Sequence, residues 1–200
     1  MAELRRRQDG STAARGKSVG VKILIAGEGP NEIGGWATAA PYRASAPSPG
    51  VIEALLRQIR SEGWTIEQGW LWKSVRKYKV RPQKQPETQT VLGLALAAHE
   101  AGCNVLAFVR DEDHDAQRTR AISAGMREAS SLWPQLRIAG STAAPCLEAW
   151  LLEECGLPRK DTAAMVALVD ERGLVKIPLD AAALCAWISN ARAALTWSPV

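Results

Sequence analysis

The eight residues VGVKILIA at positions 19–26, closed by Gly27, constrain this chain more than any other segment. A short run rich in Ile and Val that carries almost no polar alternation reads as a β-strand buried on both faces. Such a strand sits inside a sheet that is covered above and below. A second run, NVLAFV at 104–109, has the same character.

The stretches between and after these runs supply the cover. Residues 51–62 place Val51, Ile52, Leu55, Leu56 and Ile59 at helical spacing, just after Ser48-Pro49. Residues 64–72 alternate in part and predict a second strand. Residues 88–101 predict an Ala/Leu-rich helix stopped by Gly102. Residues 116–132 predict a further helix and 135–139 a short fourth strand. From Pro145 onward the pattern is helical, over 146–154, 159–172 and 179–194. Strands alternating with helices imply crossover connections and a mostly parallel sheet. The expected fold is therefore α/β, a mostly parallel central sheet flanked by helices. The expected organisation is a flexible basic tail over 1–18, a main α/β domain over 19–154, and a helical C-terminal extension over 155–200 packed on the same domain.

In an open parallel sheet, ligands gather beyond the carboxyl ends of the strands. The first strand ends in Gly27-Glu28-Gly29-Pro30-Asn31-Glu32 and the third in Arg110-Asp111-Glu112-Asp113-His114-Asp115. Two acidic groups thus fall at one edge of the sheet. Crowded carboxylates repel one another unless some take up protons or a cation intervenes. Mg²⁺ favours oxygen ligands and typically uses one or two carboxylates together with substrate phosphates. The plainer reading is a solvated acidic loop, with Asp115 capping the helix that follows.

The stretch from Ile25 through Glu28 to Glu32, followed by AFVRDED up to Asp113, resembles the Toprim domain, which carries a glutamate after its first strand and a DxD motif after its third. Ala144-Pro145-Cys146-Leu147-Glu148-Ala149-Trp150-Leu151-Leu152 is similar to a segment of small Toprim-like proteins related to the OLD nucleases. Several of those are encoded beside an ABC-type ATPase in bacterial anti-phage loci. The resemblance covers roughly residues 19–152 and implies a Toprim-like fold. It implies Glu28, Asp111 and Asp113 as the metal-binding core, with Glu32 and Glu148 as further acidic ligands or supporting groups. Where many Toprim proteins place a small residue and glycine after the DxD, this chain has His114-Asp115.

The chemistry implied is Mg²⁺- or Mn²⁺-dependent hydrolysis of phosphodiester bonds, with Glu28 the candidate general base or acid. The partners implied are DNA or RNA as substrate and an ATPase that restrains the nuclease. The basic stretch after the second strand offers Lys73, Arg76, Lys77, Lys79 and Arg81 to phosphates, and Trp72 or Tyr78 to an unpaired base. The resemblance also points to a basic residue here, and Lys73 is the candidate for a catalytic role.

Composition permits this reading without selecting it. A formal charge of +4 and a pI near 9.0 suit a nucleic-acid partner. No apolar run is long enough to span a bilayer, and nothing apolar follows the basic N-terminus as in a secretory signal, so a cytoplasmic location is expected. The four cysteines are scattered without CxxC spacing and predict neither zinc nor disulfides. Two other functions fit: a non-catalytic binding subunit whose acidic cluster is structural, and a Mg²⁺-dependent phosphotransferase or phosphatase. Against the latter, GEGPNEIGG lacks the lysine and spacing of a P-loop, and no DxDx(T/V) nucleophile motif is evident.

Overall fold

The computed structural model describes residues 20–37, 47–76, 85–148, 162–176 and 182–196. In chain order its elements are β1 (Val21–Gly27), the four-residue helix α1 (Pro30–Ile33), α2 (Val51–Ile59), β2 (Trp64–Leu71) and α3 (Pro86–Glu100). Then follow β3 (Val105–Asp111), α4 (Ala116–Leu132), β4 (Arg137–Ala143), α5 (Thr162–Lys176) and α6 (Ala182–Thr196).

Side chains on a strand alternate between its faces, and in β1 both sets are apolar. Val21, Ile23 and Ile25 enter one core, and Leu24 and Ala26 enter the other. In β3, Val105, Ala107 and Val109 join the first core, and Leu106 and Phe108 the second. The first core is closed by Leu55 and Leu56 of α2, Met165 and Val169 of α5, and Leu184 and Trp187 of α6. The second is closed by Val91, Leu92 and Leu94 of α3 and by Ile122 and Ala129 of α4. Each fully buried Ile or Leu contributes about 1.5–3 kcal/mol. The result is an α/β sandwich with helices on both faces of the sheet.

Among the described residues the sheet has four strands in the order β2-β1-β3-β4, all parallel. The chain leaves β1 for β2 on one side and returns to β3 on the other. The connections after β1 and β3 therefore depart in opposite directions. The carboxyl ends of these neighbouring strands are thus the topological switch point, where open α/β sheets form their ligand crevice. The expected mostly parallel, Toprim-like arrangement agrees with this architecture.

Several boundaries differ from expectation. The helix expected over 51–62 ends at Ile59, because Arg60 turns extended (φ −153°, ψ 115°) and its carbonyl accepts the Trp64 indole N–H. The third helix begins at Pro86, since proline lacks only a donor that the first turn cannot use. β3 runs on to Asp111 and β4 to Ala143, both further than expected. α5 breaks at Gly173, which takes φ 61°, ψ 175°. Leu147 and Glu148 are helical as expected, while the remainder of that helix and residues 1–18 lie outside the described residues.

The C-terminal helices are integral to the core. Trp187 is fully buried, and its indole N–H donates to the Phe108 carbonyl at 3.0 Å, tying α6 to the centre of β3. Among the described residues no helix is long and apolar enough to cross a membrane.

Candidate functional site

Small residues let the end of β1 fold back on itself. A Cβ on Gly27 would lie 2.3 Å from the Glu32 Cβ, so only glycine allows α1 to bring Glu32 against the strand end. The Gly29 N–H then donates to Glu32 Oε2 at 2.7 Å. Gly34, at φ 58°, closes the turn against the backbone of Ser48 and Gly50. Glu32 ends up buried, with only 4% of its surface exposed.

β3 delivers Asp111 beside it. The Asp111 N–H donates to Glu28 Oε1 at 3.1 Å, joining the ends of β1 and β3, and Asp111 Oδ1 accepts from the Leu147 N–H at 2.9 Å. Glu148 follows directly, its Oε1 accepting from Asn31 Nδ2 at 2.8 Å. Asn31 Oδ1 in turn accepts from the Thr162 hydroxyl at 2.7 Å. Segments after β1, after β4 and at the start of α5 thus converge on one edge.

The five acidic residues expected here divide into two groups. Glu28 pairs with Arg110, and Asp113 with Arg118 at 2.6 Å. Glu87 of α3 lies 3.5 Å from Arg110 and 3.3 Å from Arg118, and the Trp72 indole N–H holds its other oxygen at 2.7 Å. Among the described residues no lysine or arginine stands within ion-pair distance of Glu32, Asp111 or Glu148. Burial pushes the Glu32 carboxyl up to about 7; backbone N–H groups, including that of Gly29, oppose this, and the charges of Asp111 and Glu148 add to it. Burial also raises Asp111, with the Leu147 N–H and the charge of Arg110 opposing and Glu148 and Asp113 adding. Burial lowers Arg110, and the charge of Arg118 lowers it further.

The turn after the DxD explains the departure at His114-Asp115. Asp113 and His114 sit at φ 50° and 60°, the left-handed region that glycine favours. Two residues with side chains occupy it here, at roughly 1–2 kcal/mol each. The turn is held by Asp113 N–H to the Pro145 carbonyl at 3.0 Å, and Arg118 donates to the carbonyls of Asp111 and Glu112. Asp115 caps α4, accepting from the Gln117 N–H at 2.9 Å, as the plainer reading expects. His114 is exposed.

Lys73 and Arg76 are exposed beyond β2, whose end pairs Leu71 with Gly27. Lys77, Lys79, Arg81 and Tyr78 lie outside the described residues. The expectation that Trp72 stacks on a base is corrected. The residue is 8% exposed, its ring packs against Phe108 at a 47° tilt with centroids 5.4 Å apart, and its N–H is spent on Glu87. Sequence reasoning missed Arg110, Arg118, Glu87, Asn31 and Thr162. Only Arg110 carried a signal, being the last residue before the DxD.

Among the described residues no three His, Cys, Asp or Glu side chains stand close enough to form a ready-made metal cage. An oxygen-only set whose Glu32, Asp111 and Glu148 have no ion-pair contact among the described residues nevertheless suits Mg²⁺ or Mn²⁺, which needs one or two protein carboxylates and completes its shell with water and phosphate. Comparison with protein-family models, curated proteins and solved structures returned no match.

Proposed function

We propose that this chain is a divalent-cation-dependent phosphodiesterase of Toprim type acting on nucleic acid. The observation that carries the reading is the meeting of Glu32, Asp111 and Glu148 at the β1/β3 crevice with, among the described residues, no lysine or arginine in ion-pair contact with them, Arg110 acting on Asp111 only through its charge. In this reading Asp111 and Glu148, with Glu32, hold Mg²⁺ or Mn²⁺, and Glu28 and Asp113 join when their arginines release them. A cation bound there supplies an acidified water and neutralises charge developing on the phosphodiester oxygens.

The chain's own groups do the rest. The Leu147 N–H and Asn31 orient Asp111 and Glu148. Glu28, held by the Asp111 N–H, is placed to accept a proton at Oε2 or Oε1 once Arg110 lets go. Exposed Lys73 and Arg76 follow the end of β2, which pairs with Gly27 of β1, and suit a polyanion. Restraint by an ATPase partner and a part in bacterial anti-phage defence belong to the same proposal and rest on the motif resemblance.

One observation favours a second reading, a non-catalytic subunit. Arg110 and Arg118 already neutralise Glu28 and Asp113, as in a structural ion-pair network. Cleavage assays separate the two. Plasmid, single-stranded DNA and total transfer RNA are incubated with Mg²⁺ or Mn²⁺ and either wild type or Asp111→Ala/Asp113→Ala. The nuclease reading expects metal-dependent cleavage that falls about 100-fold or more in the variant. Cleavage that survives in the variant, or that ignores chelator, overturns it.

A further inference from the structure

Arg110 and Arg118 are not surface ion pairs. Their side chains are 12% and 16% exposed, and both reach the same carboxylate, Glu87. Glu87 is anchored by the Trp72 indole, over whose ring Arg110 lies at 5.9 Å. One carboxylate cannot balance two guanidiniums. The remaining negative charge comes from Glu28 and Asp113, with Asp111 adding its field at Arg110, and Asp113 Oδ2 faces both arginines, at 2.6 Å from Arg118 and 3.9 Å from Arg110.

Glu28 and Asp113 are the more exposed partners, at 33% and 57%. Glu87 and Trp72, at 20% and 8%, hold the arginines on the buried side, as do the Asp111 and Glu112 carbonyls for Arg118. A guanidinium fork recognises a carboxylate and a phosphate by the same paired N–H donors. A cation that takes Glu28 or Asp113 leaves such a fork aimed at the crevice, pre-positioned and short of one partner. A buried charge left unpaired is costly, so a phosphate that replaces the lost carboxylate is strongly favoured.

We infer that Arg110 and Arg118 are the phosphate-engaging residues of this site, held by Glu28 and Asp113 in the metal-free protein and released when a divalent cation takes those carboxylates. The inference rests on the cation reading above. It makes cation and phosphate binding mutually reinforcing: each ligand removes the obstacle to the other, and by linkage the coupling is reciprocal.

Two measurements on the full chain test it. First, Mn²⁺ alone is titrated into wild type and Arg118→Gln by calorimetry. Freeing Asp113 is expected to tighten Mn²⁺ binding about tenfold, and an equal or weaker affinity in the variant overturns the inference. Should neither protein bind Mn²⁺, the cation reading itself falls. Second, and independently of any metal, a short fluorescein-labelled oligonucleotide (as DNA and as RNA) is titrated in EDTA by fluorescence anisotropy. Glu28→Gln is expected to bind about tenfold tighter than wild type, and Glu28→Gln/Arg110→Gln is expected to lose that gain. A gain that persists in the double variant overturns the role of Arg110, as does an unchanged affinity in Glu28→Gln; a full gain in Glu28→Gln/Arg110→Lys, which keeps the charge without the fork, would assign the effect to charge alone and overturn it too. Folding of each variant is checked by circular dichroism, and the Arg110→Lys form is expected to recover only part of the binding.

Discussion

Glu32 shows how one residue reports on the whole edge. It is buried, its charge has no cationic partner among the described residues, and its carboxyl is raised from 4.5 to about 7. A raised folded-state value means that the native protein holds this proton more tightly than the unfolded chain. Its contribution to stability is present in full below pH 4.5 and is lost as pH rises through 7, the reverse of a salt-bridged carboxylate. Above pH 7 the ionised form costs about 3 kcal/mol. Glu32→Gln keeps an acceptor for the Gly29 N–H and removes the charge. Urea unfolding in EDTA is expected to find the variant more stable than wild type by up to about 3 kcal/mol at pH 8, with the difference gone by pH 4.5. Parallel pH profiles would show that Glu32 is already balanced. Asp111 shifts in the same direction and reinforces the trend.

The acidic residues were legible in the sequence because strand ends have a known meaning in α/β sheets. Their division into balanced and unbalanced groups was not. That division depends on Arg118 returning across a turn with two positive φ values, and on Asn31 meeting Glu148 across 117 residues of sequence.

At the scale of elements, legibility followed hydrophobicity. β1 and β3 stood out because both their faces are apolar, and α4 was bounded correctly by its Asp115 cap. β4 was read too short because Gly140-Ser141-Thr142 carry no apolar signal. Their strand conformation comes from pairing with β3, in which Gly140 lies opposite Phe108. The glycine is needed there, since a Cβ would stand 2.3 Å from the Phe108 ring. That ring also carries Trp72, which holds Glu87 and through it both arginines. Gly140→Ala is therefore expected to lose about 1–3 kcal/mol in thermal unfolding from overpacking. Unchanged stability would mean that Phe108 and Trp72 can move freely, and the rigid support assigned to Glu87 would fail with it.

At the scale of the molecule, topology does what no single residue does. The order β2-β1-β3-β4 makes β1 and β3 neighbours whose connections diverge, and so opens the crevice at the ends that carry Glu28, Glu32 and Asp111. The α/β class and the parallel sheet followed from the alternation of strand and helix patterns. The depth to which α6 enters the core did not, because the pairing of Trp187 with the Phe108 carbonyl is a tertiary contact without a local pattern. The central claim is that this crevice holds a divalent cation, and diffraction from crystals soaked in Mn²⁺ tests it most directly. The account predicts an anomalous peak about 2.0–2.6 Å from carboxylate oxygens of Asp111 and of Glu32 or Glu148, with the arginine of any recruited carboxylate displaced. A map with no peak at this edge, and with Arg110 and Arg118 still seated on Glu28 and Asp113, would contradict it.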